Sequence, residues 1–184
     1  MRKYFVFIVL VLPIYAMGEN VIFNPGFDMT PWDTGWTIET DTATNRYGGI
    51  CTETAMAQVM PDTSSSLPNS CYLETVAWIN CSPGGAAAQA RATISQTFNE
   101  IPACTVKMKV KCWWSLGFSE CGYGLNPNFI EVRINNIWQK IWERVPDSYY
   151  GGDTTWKEIV IGISSPISGI RLQASQKTNL SEIG

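Results

Sequence analysis

The chain contains no histidine. That absence removes Ser-His-Asp and Cys-His nucleophile systems in their usual forms. It also removes His-ligated zinc, copper and iron sites. Any enzymatic chemistry is left to carboxylates, lysine or tyrosine. There is no CxxC pair, so the cysteines do not have the spacing of a zinc site either. No stretch reaches the roughly 20 apolar residues that a membrane-spanning helix needs. Helical periodicity is almost absent. Basic residues are also few. From Glu19 onward there are 11 against 16 acidic ones, a net charge of −5, which argues against nucleic acid or an anionic membrane as partner.

What is present begins with a leader. Arg2 and Lys3 precede an apolar run of 12 residues, Tyr4 to Tyr15, broken only by Pro13. Ala16 and Gly18 occupy the −3 and −1 positions of a signal-peptidase site, which places cleavage between Gly18 and Glu19. The expectation is a signal peptide over residues 1–18 and one domain over 19–184, in a protein that is secreted, extracellular or held at the cell surface. The 166 residues from Glu19 to Gly184 suit a single core. Six cysteines follow the leader: Cys51, Cys71, Cys81, Cys104, Cys112 and Cys121. An even count in an oxidising compartment reads as disulfides, with about 15 connectivities open.

Strand alternation and turn signals run throughout. In CTVKMKVKC, Cys104, Val106, Met108, Val110 and Cys112 alternate with Thr105, Lys107, Lys109 and Lys111. This period of two gives one buried and one wet face. Eight residues of strand span about 26 Å, so Cys104 and Cys112 cannot bond each other. Asn128 to Trp142 reads as a hairpin, with Asn135-Asn136 supplying the positive φ angles of its turn. Trp156–Ile163 and Gly169–Ala174 are two further strands. Ala86–Phe98 is alanine-rich, yet Ala88, Ala90, Ala92 and Ile94 alternate with Gln89, Arg91, Thr93 and Ser95, so it too reads as a strand. The fold class expected is all-β, an antiparallel, disulfide-stabilised β-sandwich.

Several phrases then line up. NPGFD at Asn24–Asp28 is followed by Gly35-Trp36. ISQTF stands at Ile94–Phe98, ACTVKMKVKCWW at Ala103–Trp114, TTWKEIVIGI at Thr154–Ile163 and ISGIRLQA at Ile167–Ala174. Together they resemble galactose-binding-domain-like jelly rolls, particularly CenC-type carbohydrate-binding modules of families 4, 9 and 22. The resemblance implies a jelly-roll sandwich, a sugar ligand and a structural calcium ion held by Asp28 and backbone carbonyls such as that of Gly26. It also implies a closing I-D-D/N-V strand; the sequence stops at SEIG, where that strand should start, so a truncated last strand and further domains in a longer native chain are expected. Short, permissive motifs of this kind speak for fold more than for ligand.

Within this frame the eight tryptophans matter. Trp36 and Trp156 sit at strand starts and are expected in the core. Trp138 and Trp142 share the hairpin strand with Lys140 and Arg144, opposite Ile137, Ile141 and Val145, and are the leading candidates for a sugar platform. Trp113 and Trp114 point to opposite sides, and Trp114 joins the ligand candidates together with Tyr149 at a loop tip. The expected function is a secreted, non-catalytic module that stacks poly- or oligosaccharide on exposed aromatics. The alternatives are a structural or adhesive β-sandwich without sugar ligand and, less favoured, a glycosidase using Glu131 and Glu143 from facing hairpin strands.

Overall fold

The computed structural model describes residues 5–10, 15–16, 19–46, 51–62, 70–81, 85–102, 104–115, 123–124, 128–145 and 150–180. All its regular elements are strands: β1 (Phe5–Leu10), β2 (Tyr15–Ala16), β3 (Glu19–Asn20), β4 (Thr37–Arg46), β5 (Cys51–Asp62), β6 (Ser70–Cys81), β7 (Ala86–Ile101), β8 (Cys104–Ser115), β9 (Tyr123–Gly124), β10 (Asn128–Ile134), β11 (Ile137–Arg144), β12 (Tyr150–Gly152), β13 (Lys157–Ile163) and β14 (Ile167–Leu180). They form two antiparallel sheets that face each other as a β-sandwich. One has the order β3-β2-β8-β1-β6-β5, with β12 and β13 also paired to β8. The other has the order β11-β10-β14-β7-β4, with β9 paired to β14.

Alternation decides which residues meet between the sheets. Val106, Met108, Val110 and Cys112 of β8 are fully buried, as are Ile130 and Val132 of β10 and Ile170, Leu172 and Ala174 of β14. Ala86–Phe98 is a strand, part of the long β7, and Ala86, Ala88, Ala90 and Ala92 face inward. Small side chains there let the facing sheet approach closely, which is why the composition looked helical while the pattern did not. Burying so much aliphatic surface is the main stabilising term, roughly 25 cal/mol per Å².

The NPGFD phrase is a folding device centred on a buried Asn24, which takes a left-handed φ of 49°. Its Nδ2 donates to the carbonyls of Trp32 (2.7 Å) and Thr34 (3.3 Å), and its Oδ1 accepts the Asp28 N–H (3.0 Å). The Asn24 carbonyl accepts the indole N–H of Trp36 at 3.0 Å. Gly35 precedes that tryptophan at φ 85°, with the Phe23 ring so close that a Cβ there would stand 2.4 Å from it. Only glycine fits both demands. Gln96, from the ISQTF phrase, clamps the loop to β7: its Oε1 accepts the Phe23 N–H (2.8 Å), and its Nε2 donates to the carbonyls of Phe23 (2.9 Å) and Gly35 (3.0 Å). Phe27 and Trp36 are buried, their ring centroids 5.1 Å apart. Trp156, expected in the core, is only half-buried.

The cysteines depart from a uniform set of bridges. Cys71, Cys104 and Cys112 are free. Cys104 and Cys112 lie along one strand, and β1 stands between Cys71 on β6 and Cys112 on β8. Cys51 and Cys81 are direct register partners of the β5–β6 pair. Cys121 lies outside the described residues.

Candidate functional site

The hairpin β10–β11 turns at Asn135-Asn136, with φ of 50° and 64°, as a two-residue turn of this chemistry requires. Its register then slips. Asn128, Phe129 and Ile130 pair with Arg144, Glu143 and Trp142, but Glu131 pairs with Lys140, leaving Ile141 unpaired as a β-bulge. A one-residue insertion reverses the alternation of side chains beyond it. The expected platform is therefore split. Trp142, opposite the buried Ile130, packs against the core beside Ile141. Trp138, opposite Arg133, lies on the outer face. Arg144 pairs with the fully buried Asn128, and its charge reaches Cys112, so it belongs with the inner layer. Of the four hairpin candidates only Trp138 and Lys140 lie on the outer face. Ile137, expected to be buried, is 64% exposed because β11 is the edge of its sheet.

Three cross-strand rows build the outer face. Trp138 and Arg133, with Gly169 beside them, form the first; Lys140, Glu131, Arg171 and Ser95 the second; Glu143, Phe129, Gln173 and Thr93 the third. The register pair opposite Trp138 leads to Gly169, where an added Cβ would stand 3.1 Å from the outer edge of the Trp138 ring. The indole thus reaches across β10 to lie over a residue with no side chain. The Arg171 guanidinium sits 4.6 Å from the Trp138 ring centroid, and its Nε donates to Glu131 Oε2 at 2.6 Å. Lys140 stands over the Phe129 ring at 5.2 Å and pairs with Glu143. Beyond Phe129 opens a shallow depression of about 240 Å³, bordered by Gln173, Ser175 and the Arg91–Asp41 ion pair. Arg133 and Phe129 are four positions apart on β10, about 13 Å, so the face is long enough for an extended ligand.

Glu131 and Glu143 do not face each other as the hairpin reading allowed. The bulge places Glu143 opposite Phe129, and each carboxylate is engaged by a cation. Glu131 keeps only 13% of its side-chain surface in solvent.

The opposite sheet carries the lysine row on its own outer face. Lys107 pairs with Glu158 at 2.5 Å. That hydrogen bond holds the Glu158 carboxyl below its ordinary value; desolvation opposes it, and the charges of Lys107 and Lys109 add to the lowering. Trp113 shares this face and is 44% exposed. Trp114 lies in β8, its backbone opposite Phe5 and Gly151; its side chain and all of Tyr149 lie outside the described set. Asp28 is exposed, its N–H bonded to Asn24. Gly26 is half-buried in the same turn.

Arg171, Gln173, Phe129 and Arg91 were not singled out from the sequence. Their signal in the sequence is the outward parity of GIRLQA, of β7 and of β10. No helix among the described residues is long and apolar enough to cross a membrane. No family model, curated protein or solved structure matches the chain.

Proposed function

We propose that this chain is a secreted, non-catalytic binding module for poly- or oligosaccharide, and that the outer face of the six-stranded sheet is its binding surface. The observation that carries this reading is the half-buried Trp138, oriented by Arg171 on its ring and by Gly169 beneath its edge. An indole fixed in this way offers an apolar surface to the C–H side of a sugar ring at little entropic cost. Arg133 in the same row, Lys140 in the second and Gln173 in the third stand ready to orient hydroxyl groups. A face of this kind binds modestly unless several modules are tethered. The Asn24–Trp36 and Gln96 contacts give the family-like phrases a shared structural purpose and support the galactose-binding-like assignment.

In the oxidising compartment that the leader implies, Cys51 and Cys81 join as a disulfide across their register pair. Calcium binding through Asp28 and neighbouring carbonyls belongs to the same proposal. A rise of the thermal midpoint at millimolar calcium, lost in Asp28→Asn, supports it; an unchanged midpoint removes it.

The decisive test is a glycan array probed with the wild type, Trp138→Ala and Trp142→Ala. Binding that Trp138→Ala abolishes while its fold is retained supports the module. Binding unaffected by Trp138→Ala, or no binding to any glycan, overturns it. One observation favours a structural or adhesive role instead: Glu131, Arg171, Lys140 and Glu143 are already paired within the face.

A further inference from the structure

The apolar run that reads as a secretory leader supplies an internal strand of the larger sheet. β1 pairs antiparallel with β6, from Phe5↔Thr75 to Val9↔Cys71. On its other edge it pairs antiparallel with β8, from Phe5↔Trp114 to Leu10↔Lys109. β6 and β8 consequently run parallel to each other, two strand spacings or about 10 Å apart. The core-facing residues along this lane, Cys71 and Leu73 on one wall and Val110 and Cys112 on the other, are all fully buried. At the end of the lane the Ala77 N–H is taken by the Gln176 side chain of the facing sheet at 3.0 Å, so beyond Phe5 the edge of β6 has a partner of its own.

Cleavage at Gly18 removes β1. Two strand edges then face each other across an empty lane, with buried N–H and C=O groups unpaired on both sides, an arrangement that is costly and templates strand pairing. We infer that the lane between β6 and β8 is a strand-acceptor site, which in the chain from Glu19 onward takes one extended, uncharged segment of another polypeptide, apolar at alternate positions and antiparallel to both walls. The inference rests on the leader reading. Alternate apolar positions follow from the Cys71, Leu73, Val110 and Cys112 side of the lane. Absence of charge follows from the strand that fills the lane here, FVFIVL, which carries none. A second copy is the poorer occupant, because every described strand from β4 onward is already paired within its own sandwich. Main-chain bonds on both edges supply affinity, and the alternate pockets supply selectivity.

The test uses the full chain, folded, with a protease site inserted between Leu10 and Tyr15 and cut after folding. A labelled peptide carrying FVFIVL between solubilising lysines is added, and maleimide modification of Cys71 and Cys112 is mapped by mass spectrometry. Uncut protein protects both thiols. After the cut the labelled peptide exchanges into the lane; removing free peptide exposes Cys71 and Cys112, and restoring it slows their modification at least tenfold. A peptide with Phe7→Glu and Val9→Glu neither binds nor protects. No exchange, protection that persists without peptide, or protection that comes only with dimerisation each overturns the inference. N-terminal sequencing of the exported protein tests the leader separately: a chain that keeps Phe5–Leu10 ends the leader reading, whatever the peptide does.

Discussion

Trp138 and Arg171 meet across the outer face of the six-stranded sheet, guanidinium over indole at 4.6 Å, although neither lies on a strand adjacent to the other's. The contact passes over β10, where Glu131 holds the same guanidinium from below. Removing Arg171 leaves a largely buried carboxylate without its cation. Arg171→Ala is expected to cost about 1–2 kcal/mol in urea unfolding, discounted from a fully buried pair because Arg171 keeps 25% of its side chain in solvent. Glu131→Gln in that background restores part of the loss. Arg171→Lys does not restore the stack, since an ammonium lacks the planar fork.

The two hairpin tryptophans separate by role. Trp142→Ala removes area packed on the core and is expected to cost about 2–3 kcal/mol, somewhat below a fully buried tryptophan. Trp138→Ala is expected to cost less than about 1.5 kcal/mol, the range of a cation–π contact plus partial burial. Chemical denaturation of both variants checks the order. The reverse order sinks the assignment of faces.

The Asn24 and Gln96 networks should be the most sensitive polar positions in the chain. Asn24→Ala deletes three hydrogen bonds and puts alanine, which tolerates the left-handed region less well than asparagine, at φ 49°, for a loss of about 3–4 kcal/mol. Gln96→Ala orphans the Phe23 and Gly35 groups, for about 2–4 kcal/mol. Loss of protection of the Asp28 amide, which donates to Asn24 Oδ1, reports the first directly in hydrogen exchange.

The free thiols predict an alkaline limit. Burial, with Asp62 acting in the same direction, pushes the Cys71 thiol well above its ordinary 9.0. Burial and the Asp153 charge do the same to Cys112, with Arg144 pulling the other way. A raised acid keeps its proton in the fold at pH values where the unfolded chain has already lost it. Its stabilising contribution is therefore complete below pH 9 and declines as pH rises toward the native value. The slope approaches about 1.4 kcal/mol per pH unit for each thiol. Between pH 9 and 10.5 the wild type should lose stability more steeply than the Cys71→Ala/Cys112→Ala double variant; equal slopes contradict it.

Sequence patterning made the inward faces of β7, β8, β10 and β14 legible, because each alternates, with larger apolar residues in β8, β10 and β14 and mainly alanine in β7. It made the Asn135-Asn136 turn legible through chemistry. It was silent on β4, β5 and β6. Thr37–Arg46 carries almost no apolar side chains, being an edge strand in solvent, and Cys51–Asp62 mixes small and polar residues on both faces. The outer-face site was half legible. The pattern puts Trp138 and Lys140 on the outer face that the structure shows, whereas Trp142 and Arg144, expected beside them, lie on the inner side. A bulge leaves no mark in composition: it is created by pairing with β10, which nothing within Ile137–Arg144 announces.

That bulge also sets how the chain tolerates change. Ile141 is a reading-frame marker for the strand: deleting one codon there brings Trp142 to the outer surface or drives Trp138 inward. The hairpin thus holds two aromatic solutions one residue apart, and a short length change in the gene, rather than any substitution, is the step that exchanges which indole faces the solvent.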